Sequence, residues 1–180
     1  MRTRPLVRLG VAALLLSLGA PVLAAQGAQG CSAFKWNVAH EVALFSSEPR
    51  NLIAGANPDA APSISADQLY TLDLKPQEGV HYAAPASKKM LPDGAFGGVL
   101  HLKVAKAGQY RVSIDSGFWL DVIHQGKALP AVDFNGSPTC AGPRKIVVYD
   151  LPADSDLVLQ IGNASTAKAK LTVTPIDAAH

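Results

Sequence analysis

The most reactive side chains in this 180-residue sequence are two cysteines, Cys31 and Cys140. Cys140 sits in GSPTCAGPRK, a Gly/Pro-rich turn that runs through an Arg-Lys pair into the apolar stretch IVVY. A thiol in that setting can serve as a nucleophile, a metal ligand or half of a disulfide. A nucleophile needs an activating base and must escape oxidation, whereas structural zinc needs further Cys or His at short spacing. The sequence contains no CxxC and no CxH.

Two cysteines in a chain bound for an oxidising compartment pair by default. The N-terminus supplies that destination. Residues 1–24, MRTRPLVRLGVAALLLSLGAPVLA, carry Arg2, Arg4 and Arg8, then a short apolar run, then small residues, which is the pattern of a secretory signal peptide. A Cys31–Cys140 disulfide is therefore expected. A lipid-modified Cys31 is the competing assignment, but Ala28-Gln29-Gly30 replaces the usual Leu-containing approach, and the apolar run ends several residues upstream.

Removing residues 1–24 takes three of the sixteen Lys+Arg and none of the fourteen Asp+Glu, so a formal charge of +2 becomes −1. The mature chain has no basic footprint for nucleic acid. It keeps about 156 residues, enough for one domain with a substantial core.

The five histidines, His40, His81, His101, His124 and His180, form no His-x-His. His101 and His124 read as lone surface imidazoles; a metal site using both, with Met90 for copper, is the alternative. No Gly-x-Ser-x-Gly elbow, His-Glu-x-x-His, phosphate loop or EF-hand pattern is present, so no catalytic residue is assigned.

The remaining candidates are binding residues. In SGFWLDVIHQG, alternation that turns Phe118, Leu120 and Val122 inward turns Trp119, Asp121 and Ile123 outward. An outward Trp beside a carboxylate makes a platform for sugars or peptides. In the other reading Trp119 is simply packed beneath the N-terminal helix or the segment 50–67. Arg144 and Lys145 read as a solvated turn, with an anion site as the alternative and pairing of Arg144 with Asp121 or Asp150 as a third possibility. Trp119, Asp121, Arg144 and Tyr149 are the candidate binding residues.

These side chains need elements to hold them. Asn37, Glu41, the Val38, Val42 and Phe45 spacing, and Pro49 as a stop predict a short helix near 38–46. Residues 50–67 lack periodicity and read as a surface connection. From Gln68 the period becomes two, predicting strands over 68–74, 80–83, 98–105, 107–115, 118–126, 145–151, 156–162 and 169–176, with Asn135-Gly136 as a turn. The expected core is Leu100, Leu102, Val104, Tyr110, Val112, Ile114, Leu120, Val122, Ile146, Val148, Leu157, Leu159, Ile161, Leu171 and Val173. The fold class is all-β, an antiparallel β-sandwich or jelly roll with one short N-terminal helix. The expected organisation is signal peptide 1–24, helix and connecting segment 25–67, and sandwich 68–176.

AGQYRVSIDSGFWLDVIHQGKAL and CAGPRKIVVYDLPADSDLVLQIGNA resemble the pre-peptidase C-terminal type of bacterial β-sandwich. Over about residues 69–175 the chain also resembles short exported proteobacterial proteins that share an AG-x-Y-R-V strand, a Trp-[Ile/Leu]-Asp-Val strand, a Cys-x-Gly-x-Arg-Lys loop and a closing Leu-Gln-Ile strand. Some of these carry the label homogentisate 1,2-dioxygenase. That label implies two His and a carboxylate on iron, usually as His-x-His or with a Glu six residues after a His, and this sequence has neither. Pro143 stands where the shared loop has Ile or Thr; a Pro-containing approach to a strand with no base beside the sulfur suits a bonded Cys140.

The expected function is thus an exported, non-catalytic β-sandwich module in the periplasm or secreted. Its expected ligand is a carbohydrate or protein of the envelope, with no cofactor, no nucleic acid and no membrane span after signal removal. The alternative is a periplasmic metalloprotein or enzyme using His101, His124 or Asp121.

Overall fold

A computed structural model describes residues 30–91 and 93–176, so the predicted signal peptide lies outside the described residues. The chain enters through a 3-10 turn at Cys31–Ala33 and helix α1 at Ala39–Phe45. The strands follow: β1 Arg50–Ile53, β2 Ser63–Ser65, β3 Tyr70–Asp73, β4 Lys75–Pro76, β5 Phe96–Lys103 and β6 Gly108–Ile114. Then come β7 Trp119–His124, β8 Lys127–Ala128, β9 Asp133–Gly136, β10 Lys145–Leu151, β11 Leu157–Ala164 and β12 Lys168–Pro175.

Two sheets form, one ordered β1-β3-β12-β6-β10-β9 and the other β2-β5-β11-β7-β8, with β4 also paired to β5. The architecture is an all-β sandwich. Alternation explains it, because each long strand offers one apolar row, and two such rows facing each other exclude water. Leu100, Leu102, Val112, Ile114, Val122, Leu159, Ile161, Leu171 and Val173 meet there essentially without exposure. Burying side chains of this size stabilises by about 1.5–3 kcal/mol each.

Several expectations need correcting. Residues 50–67 are more than a connection, since β1 pairs parallel with β3 and β2 pairs parallel with β5, making both sheets mixed. These strands have four and three residues, too short to show a period, and backbone bonds to a neighbouring strand hold them. The segment 80–83 is no strand. Val80 closes a 3-10 turn over Gln77–Gly79, and the chain then crosses the outer face of the second sheet. Asn135-Gly136 ends β9, and the turn comes afterwards.

All fifteen expected core residues are buried, but Ile146 and its neighbour Val148 face away from the inter-sheet core. On β10 the inward row is Val147, Tyr149 and Leu151. Ile146 instead joins Cys31, Phe34, Val38 and Cys140 in a second cluster under α1. Cys31 and Cys140 are disulfide-bonded, as the count of two implied. With a sequence separation of 109 between them, the chain-entropy account gives a stabilisation of about 4–5 kcal/mol.

Helix α1 begins as its sequence implies, although Asn37 acts from one position further out: its Oδ1 accepts the Ala39 N–H at 3.0 Å. Glu41 points from the helix onto the first sheet and is buried. Its Oε1 accepts from Arg111 Nη1 at 3.1 Å and from the Thr174 hydroxyl at 2.7 Å. The Arg111 guanidinium also donates to the Asn37 carbonyl and lies 5.3 Å from the Trp36 ring centre.

Candidate functional site

The sandwich opens where β7 and β8 of one sheet lie opposite β9 and β10 of the other. β8 pairs only with Ile123 and His124, so the start of β7 is itself an edge. Between these edges lies a cleft of about 830 Å³. Its apolar walls include Leu120, Leu129, Pro130, Ala131, Phe134 and Val147. Phe134 pairs across β9 with inward-facing Val147, which aims its ring at the mouth of the cleft, where it is 68% exposed.

The inward row of β10 supplies the polar floor. Lys145, Val147 and Tyr149 occupy alternate positions, and about 3.4 Å of rise per residue places the first and last some 14 Å apart. Lys145 Nζ donates to the Phe118 carbonyl at 3.1 Å, and the Tyr149 hydroxyl donates to the Leu120 carbonyl at 3.3 Å. Each satisfies an acceptor at the free edge of β7, which explains why a lysine and a tyrosine stand at positions facing the core. The environment acts on both. Burial, reinforced by the charge of Lys88 and opposed by Asp121, holds the Lys145 ammonium below the ordinary lysine range. Burial first, and the Asp121 charge second, push the Tyr149 phenol up.

Three of the four candidate binding residues, Asp121, Arg144 and Tyr149, line this cleft. Asp121 is 4% exposed, and both its oxygens are occupied: Oδ2 accepts the Ser87 N–H at 2.9 Å and Oδ1 the Ser87 hydroxyl at 2.6 Å. Arg144 forms an ion pair with neither Asp121 nor Asp150; its Nη2 donates to the Pro138 carbonyl at 2.6 Å. The guanidinium is exposed at the rim.

Trp119 does not join them. It faces outward on β7 as alternation implied, yet it is buried, and the cover is the segment 80–91 rather than the helix or residues 50–67. Its Nε1 donates to the Ser87 hydroxyl at 3.1 Å, and Tyr82 meets its ring edge-on at 5.8 Å. The covering segment is pinned from below: Gln160 exchanges two bonds with the Ala84 backbone, Tyr82 donates to the Ile161 carbonyl, and Asn163 accepts the Leu91 N–H. Of the two readings of Trp119, platform or packed residue, the structure shows the packed one.

The histidines do not converge. Val158 pairs with His101 on one side and Ile123 on the other, whereas Leu157 pairs with His124, so His101 and His124 sit on opposite faces with β11 between them. His101 Nε2 lies 2.9 Å from the Pro58 carbonyl. Among the described residues no three His, Cys, Asp or Glu side chains are grouped to hold a metal ion.

Sequence reasoning singled out Arg144 and Lys145 but missed Lys88, Leu129, Ala131 and Phe134. Nothing in their local pattern marks them, because the cleft exists only once β8 and β9 separate. Compared with known proteins, the chain matches no family model, no curated protein sequence and no solved structure.

Proposed function

We propose that this chain is an exported, non-catalytic binding module whose ligand sits in the cleft between β7–β8 and β9–β10. The cleft carries the reading. Its volume of about 830 Å³ falls in the range of small-molecule sites, and apolar walls with a few polar groups are the usual composition of such sites. The polar side chains at its floor, Lys145 and Tyr149, are bonded to the Phe118 and Leu120 carbonyls, and Asp121, which lines it from β7, is bonded to Ser87, an arrangement suited to shaping a pocket. A periplasmic or extracellular location is supported by the disulfide and by the N-terminal residue pattern. Among the described residues no helix is long and apolar enough to cross a membrane.

The test uses an apolar fluorescent reporter such as anilinonaphthalene sulfonate on protein purified from the periplasm. One saturable site is expected, lost in Ala131→Trp, which places an indole in the cleft from an exposed position without touching the core. Absence of saturable binding to the unsubstituted protein would refute the proposal.

A further inference from the structure

The charges around the cleft are unbalanced. Three cationic side chains, Lys88, Arg144 and Lys145, line it against a single carboxylate, Asp121. That carboxylate is already committed, since each oxygen accepts a bond from Ser87. The cations are not. Lys145 spends one of its three ammonium donors on the Phe118 carbonyl, and Arg144 spends one nitrogen on the Pro138 carbonyl. Lys88 lies close enough to lower the affinity of Lys145 for its proton, an effect that the Asp121 charge opposes.

The arrangement is polarised along the cleft. Lys145 pairs with Gly136 at the far end of β9, beside Arg144 and Pro138. The apolar connection Leu129-Pro130-Ala131 lies towards the start of β9, with Phe134 between. A ligand filling the whole space must present a negative head at one end and an apolar body along the rest.

Building on the binding role proposed above, we infer that the cleft takes a monomeric amphiphilic carboxylate, its head held by Lys145 and Arg144 and its apolar body lying against Leu129, Ala131, Phe134 and Val147. A carboxylate fits better than a multiply charged head because only one cation, Lys145, is set into the wall, while Arg144 and Lys88 stand exposed at the rim. Burial of the ammonium, which costs proton affinity in the free protein, becomes favourable once a carboxylate pairs with it.

Titration calorimetry with decanoate, decanol and decyltrimethylammonium tests this. Decanoate should bind tightest and the ammonium weakest. Lys145→Met should weaken decanoate about tenfold or more and leave decanol unchanged, with Lys145→Arg restoring most of the loss. Arg144→Gln should weaken decanoate several-fold. A urea midpoint near that of the unsubstituted protein shows that each variant is folded. Equal binding of decanoate and decanol, unaffected by Lys145→Met, overturns the head-group assignment but leaves the cleft as a binding site. Binding of none of the three overturns the cleft reading itself. Sedimentation with phosphatidylglycerol vesicles without binding of monomeric decanoate also overturns the inference, because the cations would then read a lipid surface.

Discussion

Arg111→Met should destabilise the protein far more than its position at the sheet surface suggests. The Glu41 side chain is 2% exposed and that of Arg111 is 15% exposed, so removing the guanidinium leaves a carboxylate under α1 with only the Thr174 hydroxyl to solvate it. Breaking a buried pair from one side costs about 3–5 kcal/mol, and the partial exposure of Arg111 puts this case near about 3 kcal/mol. Loss of the contact with Trp36 adds about 0.5–1 kcal/mol. At about 2–4 °C per kcal/mol, the melting temperature should fall by about 7–16 °C. The double variant Glu41→Leu, Arg111→Met should behave differently. Four buried atoms at this interface, Glu41 Oε2, Arg111 Nε, Ser113 Oγ and Thr172 Oγ1, have no hydrogen-bond partner among the described residues, so the native pair is itself poorly solvated. Replacing both ends newly deprives the Asn37 carbonyl and the Thr174 hydroxyl of a partner, a loss of about 1–2 kcal/mol. Urea unfolding followed by Trp fluorescence and by far-ultraviolet dichroism measures Arg111→Met, the single variant Glu41→Leu and the double variant. A double variant as unstable as the sum of the two singles, giving a coupling below about 0.5 kcal/mol, would refute the reasoning.

Leu102→Asp should abolish folding, because it sets an unpaired carboxylate between the sheets; His101→Ala, one residue away and facing out, should cost only the bond to the Pro58 carbonyl, about 1 kcal/mol by urea titration. At alkaline pH the folded protein keeps the phenolic protons of Tyr82, held by burial up to about 12, and of Tyr149, whereas the unfolded chain releases its own near about pH 10. Stability should therefore fall from pH 10 upward, and Tyr82→Phe should make that decline shallower; an unchanged slope in the variant would refute the assignment.

The long strands were legible because the inter-sheet core demands one apolar residue at every second position. GVLHLKV shows that demand directly, with Leu100 and Leu102 inside and His101 and Lys103 outside. The same rule placed Ile146 and Val148 correctly as buried but could not say on which side, since β10 is apolar on both faces where α1 and the disulfide cover its back. Trp119 was read correctly as outward; its packing was one of two readings, and the segment that covers it was missed. The segment 80–91 has no periodicity, and what fixes it is a set of single bonds from Gln160, Asn163 and Asp121 that only the assembled sheet brings into place. For the cleft, Arg144 and Lys145 were visible as charges next to a cysteine. What they face depends on Leu129–Ala131 and Phe134, which arrive from a different part of the chain, so the polarity of the site was not legible in any one stretch of sequence.

The parallel strands β1 and β2 decide how the two sheets are bound together. Between them the Ala54 N–H bonds to the Asp73 carbonyl of the first sheet, and the next residue, Gly55, exchanges both backbone bonds with Val99 of the second. Gly98 has no Cβ because one would collide with Ala54. That side of the sandwich is sewn like the spine of a book, with consecutive peptide groups stitched to opposite covers. The fore-edge lies at β8 and β9, which share no strand pairing; the hydrogen bonds across the cleft floor there are the side-chain bonds of Lys145 and Tyr149. Even this edge is tied by the chain itself, since the short link from β8 to β9 bonds through the Leu129 N–H to Val122 of one cover and through the Val132 N–H to Val148 of the other.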